Sequence, residues 1–298
     1  MTLTRPVLRY HGGKFRLAPW IMSHFPPHRI YTEAFGGAAG VLIQKPRSHG
    51  EVYNDLDGDV VNLFRVIRDP ALRERLIHDL VTTPYARDEF DMAWEPCDPA
   101  DVVERARRLV VRAMMGFGSA GATKGSTGFR IDTKREYETA QHTWAMYPHN
   151  LAAVGARLTG VLIENRPAIE VVRAHDSPET LHYVDPPYMH ETRVRKGSAR
   201  GYRHEMADAD HVELLEALRG VDGMVVLSGY PSELYDSMLK GWERRSTPAR
   251  ISGGRGTTIR EEVIWLNPAC SAALHGGHGL FAAVPPAPTF AAGVEAAA

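Results

Sequence analysis

Short apolar runs, glycine turns and helical stripes divide most of this chain. Residues 30–35 (Ile30, Tyr31, Thr32, Glu33, Ala34, Phe35) read as a strand broken by the glycine-rich stretch Gly36–Gly40, and the pattern predicts a helix from Val41. Residues 51–54 read as a second strand, ending at Asp55. Val60, Leu63, Phe64 and Ile67 recur at helical spacing, and Asp69-Pro70 ends that helix. Further strands are expected at 161–164, 181–184, 223–228 and 262–266, with a helix carrying Leu214, Leu215 and Leu218 among them. This alternation predicts an α/β sheet domain.

Residues 70–150 break the rhythm. Leu72, Leu76 and Leu80 mark one helix, and Val103, Ala106, Val110 and Ala113 mark another that also carries four arginines; a glycine-rich stretch follows. A long insertion in a compact domain is usually functional; the alternative is a helical addition that packs on the sheet. The expected division is therefore a sheet domain over 1–69 and 151–268, an insertion over 70–150, and an Ala-, Gly- and Pro-rich disordered tail over 269–298.

The apolar run 181–184 ends in Asp185-Pro186-Pro187-Tyr188. In open α/β sheets, ligands bind at the carboxyl ends of strands. An acid there can accept a hydrogen bond from a planar amino group. The Pro186 carbonyl can accept a second, and Tyr188 can stack on an unstacked base. The plainer reading is a strand ending in an ordinary Pro-Pro turn. Gly36–Gly40 offers a close backbone approach, and Asp55, about 20 residues on, suits ribose hydroxyls. Asp55 equally suits the N-cap of the helix before Val60.

Composition narrows the picture. The 298 residues carry a formal net charge of -1, so a nucleic-acid surface must be local. Two stretches supply local basic excess. One holds Lys124, Arg130, Lys134 and Arg135; the other holds Arg193, Arg195, Lys196, Arg200 and Arg203. They suit phosphate contacts or a solvated surface. Cys97 and Cys270 form neither a disulfide framework nor a metal pair, and no clustered His and Cys set predicts a metal. No stretch reaches the roughly 20 apolar residues of a membrane span, and no signal peptide is evident, so a soluble cytoplasmic protein is expected.

With these pieces in order, from Tyr10 to Asn267, the chain resembles the N6-adenine-specific DNA methyltransferases of the Dam-like class, phage-type members included. Tyr10-His11-Gly12-Gly13-Lys14 resembles their N-terminal cofactor motif, Glu33–Gly40 their S-adenosylmethionine loop, Tyr53-Asn54-Asp55 their second-strand acidic motif and Asp185–Tyr188 their catalytic motif. The resemblance implies a doubly wound S-adenosylmethionine-dependent methyltransferase sheet with an inserted, mainly helical target-recognition domain. It implies transfer of a methyl group from S-adenosylmethionine to N6 of a flipped adenine in double-stranded DNA. Asp185, Pro186, Pro187 and Tyr188 would be catalytic. Tyr10, Gly12, Gly13, Lys14, Glu33, Phe35, Gly36, Gly37, Ala38, Ala39, Asp55 and Asp185 would line the cofactor site. Lys14 would face either the cofactor carboxylate or DNA. Pro167 stands where the family has an Asp beside the cofactor adenine, which leaves backbone or Asn165 for that contact. Lys124, Arg130, Lys134, Arg135, Arg193, Arg195 and Tyr202 would face DNA. The other classes considered are a methyltransferase of RNA or protein glutamine and a DNA-binding protein without catalysis.

Overall fold

The computed structural model describes residues 5–123, 127–131, 133, 139–189, 201–253 and 256–276. In chain order the elements are α1 (Ala18–Met22), β1 (Ile30–Glu33), β2 (Gly50–Asn54), α2 (Gly58–Arg68), α3 (Pro70–Thr82), α4 (Arg87–Met92), α5 (Val102–Met115), α6 (Ala140–Met146), α7 (Leu151–Leu158), β3 (Val161–Glu164), α8 (Ala168–Ala174), β4 (Thr180–Val184), α9 (Asp208–Arg219), β5 (Met224–Gly229), α10 (Glu233–Met238), β6 (Glu243–Gly253), β7 (Gly256–Leu266) and α11 (Pro268–Gly276).

One sheet has the order β3-β2-β1-β4-β5-β7-β6. Strands β1 to β5 pair in parallel, and β7 runs antiparallel to both β5 and β6. The side-chain period of two sends alternate residues to opposite faces. Leu181, Tyr183, Val226 and Ile264 join one apolar cluster, while Val184, Val225, Leu227, Val263 and Trp265 join another on the opposite face. Both faces are covered, as parallel strands require, and the fold is a Rossmann-like α/β sheet.

Helices α3 to α7 do not surround a core of their own. Phe90, Val103, Leu109 and Val110 share one buried cluster with Tyr53, Phe64 and Ile163 of α2 and the sheet. The arginines of α5 are bound internally. Arg105 pairs with Asp59 at 2.9 Å, Arg107 with Glu104 and Glu89, and Arg108 with Glu104.

Two expectations need correction, and one strand lies outside them. The helix expected from Val41 is a run of turns, because the Leu42 N–H donates to the Glu33 carboxylate at 2.8 Å instead of entering a helical ladder. No disordered tail begins at 269. α11 folds back with Cys270 buried, its N–H held by Asn267 Oδ1 at 2.9 Å, and residues 277–298 lie outside the described residues. The strand β6 escaped the pattern because it is a sheet edge, exposed or half-exposed from Glu243 to Pro248, with no apolar alternation to mark it.

Candidate active site

The strand order reverses between β1 and β4, the position where an open α/β sheet leaves a crevice at its carboxyl edge. Asn54, at the end of β2, fixes this edge. Its Nδ2 donates to the Ala34 and Arg166 carbonyls at 2.9 and 3.0 Å, and its Oδ1 accepts from the Arg166 N–H at 3.0 Å. One side-chain amide thus ties together the segments leaving β1 and β3.

The turn after β1 is packed too tightly for side chains. A Cβ on Gly36 would lie 2.2 Å from the Tyr53 ring, and one on Gly37, at φ 47°, would lie 2.7 Å from the Tyr10 ring. Asp55 holds the turn closed: one carboxylate oxygen accepts from the Gly37 N–H at 2.7 Å, the other from the Asp57 N–H at 2.8 Å. Burial pushes Asp55 up to about 6, against the pull of these two donors. The N-cap role that Asp55 shared in the sequence reading belongs instead to Asp57, which accepts from the Asp59 N–H at the start of α2.

Glu33, at the end of β1, is buried on the cleft wall. It accepts from the Tyr31 hydroxyl and the Leu42 N–H at 2.9 and 2.8 Å, yet burial still pushes it up to about 8. Asp185 lies across from it, one residue beyond β4. The Lys14 ammonium sits 2.9 Å from Asp185 Oδ1 and 3.6 Å from Glu262 Oε1, and donates to the Gly12 carbonyl at 2.9 Å. The Tyr188 hydroxyl donates to Glu262, its ring packs edge-on to Tyr230 with centroids 4.5 Å apart, and Lys14 lies 4.7 Å from its centroid.

The segment 201–207 crosses over this edge. Arg203 reaches Asp57 at 3.0 Å and Asp59 at 2.9 Å, pinning the segment to the first turn of α2. Beneath it lies a cleft of about 520 Å³. Carboxylates outnumber Lys and Arg on its walls, which favours a ligand carrying positive charge.

The sequence matches the D12 class N6 adenine-specific DNA methyltransferases over residues 10–247. The chain belongs to that family. It is an adenine-specific DNA methyltransferase, and DNA is what such an enzyme acts on. No curated protein matches the chain. Among solved structures, the precorrin 8w decarboxylase of Methanobacterium thermoautotrophicum is similar over 84% of this chain and 88% of that one. Its identity is 12% and its TM-score 0.33, too low to bear on function.

Of the positions singled out in this methyltransferase, Tyr10, Gly12, Gly13, Lys14, Glu33, Phe35, Gly36, Gly37, Ala38, Asp55, Asp185 and Pro187 line the one cleft. Ala39, Pro186 and Tyr188 are not among the residues that line it. Asn165 is not among the lining residues: it is exposed and its Nδ2 donates to the Asp55 and Leu56 carbonyls at 2.7 and 3.2 Å, while Pro167, Ala168 and Ile169 line the cleft. Tyr202, expected at DNA, also lines the cleft, its ring centroid 5.2 Å from that of His11. Arg130 is half-exposed in the segment that bridges back to Gly116. Lys124, Lys134, Arg135, Arg193 and Arg195 lie outside the described residues.

The methyltransferase site also contains groups that the pattern did not single out. Glu262 opens an apolar strand run, and only its sheet position brings it beside Tyr188. Arg203 sits in the second basic stretch, which suits phosphate contacts or a solvated surface, and the structure pairs it with two acids. Among the described residues, no group of three or more His, Cys, Asp or Glu is arranged to hold a metal ion, and no helix is long and apolar enough to cross a membrane.

Proposed function

We propose that this enzyme transfers a methyl group from S-adenosylmethionine to the N6 nitrogen of an adenine extruded from double-stranded DNA. The observation that carries the reading is the convergence of Asp185, Glu33 and the Asp55-braced glycine turn on one cleft where the strand order reverses. The cleft suits the cofactor. Its volume lies within the roughly 300–1,000 Å³ of small-ligand sites, acids outnumber Lys and Arg on its walls, and its glycines let backbone approach closely. Bound there, S-adenosylmethionine supplies a methyl group on a cationic sulfur.

Gly36, Gly37 and Asp55 would hold the nucleoside end, and the acids on the wall would balance the positive charge. Asp185 and the Pro186 carbonyl would accept the two amino hydrogens of adenine. That directs the nitrogen lone pair, otherwise conjugated with the ring, toward the methyl carbon. On taking the methyl group from the cationic sulfur, which would keep the bonding electron pair, the amino nitrogen would lose one proton. Asp185 is the carboxylate placed to take it, and burial already raises its proton affinity. Extruding the base costs a few kcal/mol. The Tyr188 ring, steadied by Tyr230 and Glu262, offers a stacking surface worth about 1–3 kcal/mol.

The helical stretch 70–150 is proposed to carry target recognition, with Arg130 facing the duplex. Incubating the protein with methyl-labelled cofactor and, separately, duplex DNA, RNA or protein tests the assignment. Label in N6-methyladenine of duplex DNA is expected; label confined to RNA or protein would refute it.

A further inference from the structure

Glu262 lies on β7 just before Val263–Leu266, the stretch that pairs with β5, so it stands beside Gly229 at the end of β5 and reaches the catalytic edge. Its side chain is buried. The same Oε1 atom accepts from the Tyr188 hydroxyl and faces Lys14 at 3.6 Å. Lys14 is itself buried and meets Asp185 at 2.9 Å. One ammonium therefore stands between two buried carboxylates. Burial raises both acids, and Lys14 pulls both back. Burial works against the Lys14 charge too, but Asp185 and Glu262 outweigh it and hold the lysine above its ordinary value.

This arrangement poses a problem for the proposed reaction. Asp185 must accept a hydrogen from a neutral amino group, while Oδ1 already faces a cation. Freed lysine charge would be costly if left buried without a partner. Glu262 is a second seat for it, within the reach of a flexible side chain.

We propose that Glu262 is a positioning residue for methyl transfer: it shares the Lys14 ammonium with Asp185, takes it over when the adenine amino group docks on Asp185, and fixes the Tyr188 hydroxyl. The inference rests on the reading of Asp185 as acceptor of the amino group. Glu262 touches neither substrate nor cofactor in this scheme; it acts through Lys14 and Tyr188.

The test compares Glu262→Gln, Lys14→Met, the double variant and Asp185→Asn in single-turnover methylation of duplex DNA across pH, with melting and cofactor titration as controls. Glu262→Gln is expected to keep cofactor affinity and to slow the methyl-transfer step roughly ten- to a hundredfold. With its rival gone, Asp185 holds Lys14 alone, so the acid limb of the rate profile moves to lower pH. Lys14→Met moves that limb to higher pH. The double variant loses less than the product of the two single losses, because both act on the same charge. A role of Glu262 in packing alone would not move the limb.

Multiplying losses with unmoved acid limbs overturn the inference. Should Glu262→Gln melt, an unmoved limb in Lys14→Met overturns it alone. If Asp185→Asn is inactive while Glu262→Gln turns over like wild type with an unmoved limb, only the inference falls. If Asp185→Asn stays active, the reading of the site falls with it.

Discussion

Tyr202 lies directly against Gly12: a Cβ built on Gly12 would come within 2.2 Å of the Tyr202 hydroxyl oxygen. Gly12 also has φ 72°, a conformation that costs other residues about 1–2 kcal/mol. The N-terminal glycines and the segment over the cleft are therefore fitted to each other. Gly12→Ala must strain the turn and lift Tyr202 at once. Cofactor binding is expected to weaken about tenfold or more, with the sheet intact by circular dichroism; calorimetric titration checks it.

Arg203 makes a smaller contribution of a different kind. Its side chain is 46% exposed, so its pairs with Asp57 and Asp59 are screened by water. Such pairs are worth about 0.2–1 kcal/mol. Arg203→Gln is expected to speed cofactor release less than about fivefold, and the difference from wild type should shrink as salt rises. Stopped-flow displacement at two salt concentrations measures both.

Glu33 predicts a pH dependence. Its ordinary value is 4.5, and burial raises it to about 8 in the fold. Between those values the folded chain holds a proton that the unfolded chain has lost. Stability from this group is complete below 4.5 and disappears as pH rises through 8. Glu33→Gln should flatten the fall in unfolding free energy between pH 5 and 8, read by denaturant titration. If the cofactor cation meets Glu33, binding at pH 7 should also release a proton. Calorimetry in two buffers of different ionisation enthalpy detects it, and the release should vanish in Glu33→Gln.

Arg130 tests the DNA-facing surface. A true phosphate contact should lower the log–log salt slope of DNA binding by roughly 0.9 in Arg130→Ala, equally on cognate and scrambled duplexes. An unchanged slope would return Arg130 to the solvated surface.

The sheet was legible where strands are buried on both faces. The run 181–184 and the residues before Gly36 announce themselves as apolar segments cut by turns, and Asp185 and the glycine turn follow from those strand ends. The hidden parts depend on contacts distant in sequence. β6 is polar because it is an edge. The turn after Ala39 looks helical until the Glu33 carboxylate removes the Leu42 N–H. Glu262 reads as one acid among many, and only the antiparallel passage of β7 beside β5 brings it to Lys14 and Tyr188. Asn165 fits an acceptor by position in the chain, and only the loop geometry shows that its Nδ2 donates to the carbonyls of Asp55 and Leu56.

The central claim is that Asp185 accepts the amino group of the target adenine. The most direct measurement is single-turnover formation of N6-methyladenine in duplex DNA by wild type and Asp185→Asn, quantified by mass spectrometry of digested DNA, with cofactor affinity measured on the same preparations. The account predicts N6-methyladenine from wild type, a loss of at least about a thousandfold in Asp185→Asn (on the order of 4 kcal/mol of transition-state stabilisation), and cofactor affinity largely preserved. Near-wild-type methylation by a folded Asp185→Asn would contradict it.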